Sequence, residues 1–214
     1  MSDFDAHSVA ENSEPVTEAA GRKRPKPGER RIQILQALAA MLEQPDGERI
    51  TTAALAARLQ VSEAALYRHF ASKAQMFEGL IEFIEQSVFT LINQITAAGT
   101  GDGAQQVARI MAMLLQFGEK NPGMVRVMVG DALVYENERL LQRMNLFFDK
   151  IEATLRRVLY QVETPDVSQT PTVDAQVQAS LLTAFAVGRL QRFARSGFKR
   201  LPSEHLDACL ARVL

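Results

Sequence analysis

The sequence predicts an all-α protein, and three observations carry that prediction. Apolar residues recur with a helical period through most of the chain beyond residue 28. Thr, Ser and Asn stand in front of the periodic runs, where a helix start needs a side-chain acceptor. No segment makes a convincing strand. The valines at 125, 127 and 129 alternate, but the pattern around them is helical.

The elements follow in order. Residues 1–28 are acidic, then basic and proline-rich (GRKRPKPG), with almost no hydrophobic periodicity, so a disordered tail is expected there. From Glu29, the residues Ile34, Leu35, Leu38, Met41 and Leu42 form one stripe, and Gln44-Pro45-Asp46-Gly47 ends that helix. Thr51 can cap the next helix, TAALAARL, which would bury Leu55 and Leu59. Gln60-Val61 reads as a tight turn. Ser62 caps a short third helix ending near Phe70, and Ser72 caps a fourth that runs to the AAGTGDGA loop. VARIMAMLLQFGEK is the fifth. Asn121 then stands as a cap with Pro122 at the first helical position. Long helices are expected over about Asn137–Val162 and Thr172–Ser196, separated by the loop ETPDVSQTP. GFKRLP leads into a short C-terminal helix. The division this suggests is a tail at 1–28, a small three-helix unit at 29–73 and a larger helical body at 74–214.

Bulk properties narrow the class. The 214 residues are 47% hydrophobic, as in a globular protein with a sizeable core. No run of about 18 apolar residues exists, so no membrane span is expected, and the first twenty residues do not read as a signal peptide. The single cysteine, Cys209, allows no disulfide within the chain, which fits a reducing cytoplasm. The net charge of −1 hides an asymmetry: −5 over residues 1–21, +5 over 22–73 and −1 over the rest. A basic block inside a neutral protein suggests a polyanion partner, although a solvated charged face is the commoner source of such a block.

Residues 51–70 have the helix-turn-helix pattern, in which the second helix enters the DNA major groove. With Leu66 taken as buried, Ala64 and Arg68 point nearly opposite, while Ala65 and Tyr67 lie on the flanks. The two alanines keep that face thin, and an alanine methyl can meet a thymine methyl. Arg68 can bond guanine or a phosphate. Tyr67 can bond a phosphate, with the edge of the small core as its alternative reading. His69 points partly inward, so a structural role and a DNA contact both stand. Thr51, Thr52 and Ser62 place hydroxyls at helix N-termini that suit phosphates, Thr51 also serving as a cap. Glu63 suits the N-terminal end of the third helix. Lys73, at the start of the fourth helix, is a further phosphate candidate.

The run RITTAALAARLQVSEAALYRHFASKAQMF resembles the TetR family of bacterial DNA-binding proteins. The resemblance implies a homodimer, an all-α fold and a body that often binds a small molecule. IEFIEQS, FGEKNPGMVRVMVGDALVYENERL and FAVGRLQRFARSGFKRLP are similar to the nucleoid occlusion factors within that family, over most of residues 29–202. That group binds palindromic chromosomal sites and the division protein FtsZ together, and disrupts FtsZ polymers over the nucleoid. The matching FtsZ-docking positions are Phe83 on the fourth helix and Met113, Gln116, Lys120 and Asn121 at the end of the fifth. Two of these positions depart from the group, Gln116 replacing a small residue and Lys120 an arginine, and Leu91 on the fourth helix also stands where the group carries an arginine. Phe83 and Met113 also read as core, and Asn121 as a helix cap.

One helix-turn-helix reads few bases, so pairing on a two-fold site is expected, with a dimer of dimers on DNA as an extended form. Leu181, Phe185 and Phe193 are the expected interface anchors, and Gly188 would allow close crossing. Enzyme chemistry is not expected. The histidines at 7, 69 and 205 lack metal-ligand spacing, and the glycine-rich loop at 99–103 follows no strand, so no catalytic residue, metal or cofactor is assigned. The expected location is the cytoplasm, at the nucleoid. The alternative is a ligand-responsive TetR-type transcriptional repressor, with IMAMLLQF as a pocket wall.

Overall fold

The computed structural model describes residues 28–44, 50–98, 102–160 and 171–214. The expected tail at 1–28 lies outside them up to residue 27, as do Pro45–Gly47 and most of the loop ETPDVSQTP. Among the described residues the chain is helical without strands. The helices are α1 (Glu29–Leu42), α2 (Thr52–Leu59), α3 (Glu63–Tyr67), α4 (Lys73–Ala97), α5 (Gly103–Lys120), α6 (Pro122–Met128), α7 (Glu138–Tyr160), α8 (Pro171–Arg195) and α9 (Leu206–Leu210). No described helix is long and apolar enough to cross a membrane.

Local chemistry sets the N-terminal boundaries. The Thr51, Ser62 and Ser72 hydroxyls accept from the amides of Ala54, Ala65 and Gln75, capping α2, α3 and α4. The turn after α2 is left-handed at Gln60 (φ 55°). Gln60 N–H donates to the Ala57 carbonyl and Val61 N–H to that of Ala56, both at 3.0 Å, which closes the helix end as a Schellman motif. α3 is shorter than expected: Tyr67 is its last helical residue, and a turn carries the chain to Phe70.

The three short helices are stable only because they share one core with the body. Ile34, Leu38 and Leu42 of α1, Leu55 of α2, and Leu66 and Phe70 are buried in the same cluster as Phe77, Leu114, Phe147 and Leu190. Two glycines let neighbouring helices approach closely. A Cβ on Gly123 would lie 2.0 Å from the Ala39 carbonyl oxygen, so α6 begins directly on the backbone of α1. A Cβ on Gly118 would lie 2.5 Å from Leu190 Cδ2, so α5 ends directly on α8. The alternating valines are helical: Val125 and Val127 are fully buried on α6.

After α6, Gly130 (φ 85°) starts a 3₁₀ turn at Asp131–Leu133, an element the hydrophobic pattern did not signal. Leu133 is buried, whereas Val134 and Tyr135 beside it are exposed. Asn121 departs from its expected role. Its side chain makes no cap to α6; Nδ2 donates instead to the Phe117 carbonyl at 2.8 Å and closes the end of α5. Pro122 occupies the first turn of α6, where its missing N–H costs nothing.

Candidate nucleic-acid interface and partner surface

Helix α3 presents the face expected of it. Leu66 is 1% exposed, Ala64, Arg68 and His69 are exposed, and Ala65 is half-buried. His69 therefore points outward, and only its backbone is used internally: Arg31 Nη1 donates to its carbonyl at 3.1 Å. The Arg31 guanidinium also lies 4.1 Å from the Phe70 ring centroid, a cation–π contact that fixes the end of the reading segment. Tyr67 is half-exposed. Its hydroxyl donates to Thr52 Oγ1 at 3.4 Å, and the Thr52 hydroxyl donates to Glu63 Oε2 at 2.5 Å.

This chain of polar contacts changes two roles. Thr52 does not offer a spare proton to a phosphate, because Glu63 takes it. Glu63 acts as a brace between α2 and α3. Thr51 and Ser62 serve as caps, and Arg68 stays exposed beside the alanine face. Lys73 departs furthest from expectation. Its ammonium is 2.5 Å from Glu136 Oε1, on the turn before α7, and both side chains are largely buried. A sequence separation of 63 hid this contact.

The body carries the second set of residues. Met113, Gln116 and Lys120 share one face of α5 by helical spacing. Gln116 and Lys120 are exposed, and Met113 and Asn121 are half-buried. Phe83 on α4 is 47% exposed and Leu91, two turns on, is 37% exposed. Phe83 is thus not a core residue in this chain. α4 and α5, which carry the two sets, pack against each other. Arg143 Nη2 meets Glu85 Oε2 at 2.5 Å and anchors α4 to α7.

The dimer candidates divide. Leu181 is 56% exposed, and Val177 and Val173, one and two turns earlier on α8, are 52% and 57% exposed. Phe185 is half-buried, with the Arg189 guanidinium 4.9 Å from its ring centroid. Nothing lies within 4 Å of a Cβ placed on Gly188, so that side of α8 is open. Phe193 is different: it is 2% exposed and packs edge-on against Phe198 at 5.2 Å. It is a core residue of its own chain, and the expectation that it anchors a partner is corrected. The reason is the left-handed turn at Gly197-Phe198, which folds Phe198 back over the end of α8. Val173 and Val177 were missed, although their four-residue spacing before Leu181 is a legible apolar stripe. On α7, Leu146 and Tyr160 are similarly exposed.

A helix-turn-helix unit set into an all-helical body defines a class, that of the TetR-type regulators. The family pattern described as bacterial regulatory proteins, tetR family, matches residues 34–80, and the tetracyclin repressor-like C-terminal domain of the SlmA-like kind matches residues 102–211. The nucleoid occlusion factor SlmA of Idiomarina loihiensis is 52% identical over 179 residues, covering 84% of this chain and 90% of that protein. SlmA of Shewanella sediminis is 51% identical over 178 residues, covering 83% and 89%. The chain belongs to the SlmA family of nucleoid occlusion factors, within the TetR regulators. Among solved structures, the fatty acid degradation regulator FadR of Bacillus halodurans has the same fold. Its TM-score is 0.72 at 12% identity, covering 89% of this chain and 97% of that one.

Proposed function

We propose that this chain is a DNA-bound nucleoid occlusion factor. As a homodimer it holds palindromic chromosomal sites through two copies of α3. The α4–α5 layer of the body binds FtsZ and disrupts its polymers, so that a septum does not close over the nucleoid. The protein works in the cytoplasm, on the nucleoid, and catalyses no reaction. One observation carries this reading: SlmA proteins are about half identical over an alignment that spans most of the chain, whereas a TetR-fold regulator of different role shares 12%. Regulators of this fold diverge in the body, where partner chemistry resides.

Geometry supports the division of labour. The DNA contacts assigned are Ala64, Tyr67, Arg68 and His69 for the groove and its edges, with Thr51 and Ser62 at helix N-termini near phosphates. The FtsZ surface comprises Phe83, Met113, Gln116 and Lys120, with Asn121 holding the end of α5. Lys120 keeps the positive charge of that surface without a guanidinium fork.

The test is sedimentation of FtsZ polymers with this protein, with and without a duplex bearing its binding site. Loss of pelleted FtsZ, strengthened by DNA, is the expected result. Unchanged polymers in both arms would end the reading. Release of DNA by a small molecule, with FtsZ unaffected, would favour a ligand-responsive repressor instead.

A further inference from the structure

We infer that Glu136, a residue of the body, sets DNA affinity by withholding Lys73 from the DNA backbone. The inference rests on the DNA-binding reading above and adds a residue that the reading helix does not contain.

Lys73 opens α4 immediately after its Ser72 cap and three residues beyond Phe70, so it sits where the reading unit ends. A lysine at that place is well sited for a phosphate. Its ammonium nevertheless lies 2.5 Å from Glu136 Oε1, with side-chain exposures of 22% and 11%. The Phe77 ring, 5.7 Å away, shields the same ammonium. Glu136 occupies the place of a phosphate oxygen: an anionic acceptor within bonding distance of the ammonium. The backbone that carries the carboxylate is also anchored. Glu136 N–H donates to the Leu133 carbonyl at 3.0 Å, and Leu133 is buried. On the far side, Asn137 Oδ1 accepts from Arg139 N–H at 3.0 Å and starts α7. Its acceptor is thus built into the fold rather than carried on a loose chain end.

Neutralised in this way, Lys73 adds no counterion-releasing charge to the DNA-facing surface. Each phosphate that a protein neutralises steepens the log–log dependence of affinity on salt by about 0.9. The Glu136 carboxylate removes one such contact. Because Glu136 lies on the turn joining α6 to α7, movement of that turn alters DNA affinity without touching α3.

The experiment measures binding to a duplex selected by this chain from a random pool, across a salt series, for four proteins: wild type, Glu136→Gln, Lys73→Met and the double variant. Glu136→Gln is expected to bind several-fold tighter, with a slope steeper by about 0.9. Lys73→Met alone is expected to leave the wild-type slope unchanged, and the double variant to show no gain. An unchanged slope in Glu136→Gln, or a gain that survives in the double variant, overturns the inference. So does a shallower slope in Lys73→Met alone, which judges it independently should Glu136→Gln fail to fold. Normal wild-type binding with any of these results sinks this inference only. A wild type that binds no duplex removes the DNA-binding reading and this inference together.

Discussion

Arg31 holds the carbonyl of His69 at 3.1 Å across a sequence separation of 38. Helix α1 thereby clamps the last turn of the segment proposed to read DNA. A five-residue helix has almost no stability of its own. Its orientation comes from Ser62 at one end and from Arg31, with Phe70, at the other.

Replacing Arg31 by alanine removes both the hydrogen bond and the stacking on Phe70. A stability loss of about 1 kcal/mol is expected, together with weaker DNA binding. Arg31→Lys should recover only part of each, because an ammonium lacks the planar fork. Urea midpoints and anisotropy titrations on a bound duplex provide the check. Equal behaviour of all three proteins would show that the clamp is idle.

The two packed glycines should respond unequally. Gly118→Ala drives a methyl toward the Leu190 side chain, which can shift at a cost of about 1–3 kcal/mol. Gly123→Ala drives one into the backbone of Ala39, which cannot move without displacing α1, so its loss should exceed that of Gly118→Ala. Denaturant unfolding of the two variants ranks them, and the reverse order would contradict the packing described.

Leu181 and Phe193 separate assembly from folding. Leu181→Glu places a charge on the exposed stripe of α8 and should convert dimers to monomers at micromolar concentration without lowering the monomer's helicity. Phe193→Ala empties a core site and should cost about 3–5 kcal/mol. Sedimentation velocity together with circular dichroism distinguishes the two. A dimeric Leu181→Glu protein would move the interface elsewhere.

Phe83→Ala removes a side chain that is already half in water, so stability should change by less than about 0.5 kcal/mol. FtsZ polymers should nevertheless survive its presence, while DNA affinity stays at the wild-type level. Retained polymer disruption would remove Phe83 from the partner surface.

The features legible in the sequence were those decided within a few residues. Thr51, Ser62 and Ser72 revealed three helix starts because a cap and the amide it serves are three residues apart. Once Leu66 was taken as the buried side of α3, the outward face of Ala64 and Arg68 followed from helical geometry alone. What escaped depended on distant partners. Nothing near Lys73 indicates Glu136, and nothing near His69 indicates Arg31. Asn121 matched a cap motif, yet its amide found the Phe117 carbonyl behind it. Phe193 shows a further limit: periodicity identifies an apolar position but does not say whether its own chain or another covers it. The turn at Gly197-Phe198 made that choice.

The contact between Gly123 and Ala39 makes the chain a ruler. With α6 seated on the α1 backbone and no side chain between them, the reading unit cannot slide on the body. In a dimer built through α8, the separation of the two α3 helices is then a property of the protein frame. A duplex whose half-sites are spaced differently would have to bend or twist to be bound by such a dimer, so spacing would select sites as well as bases.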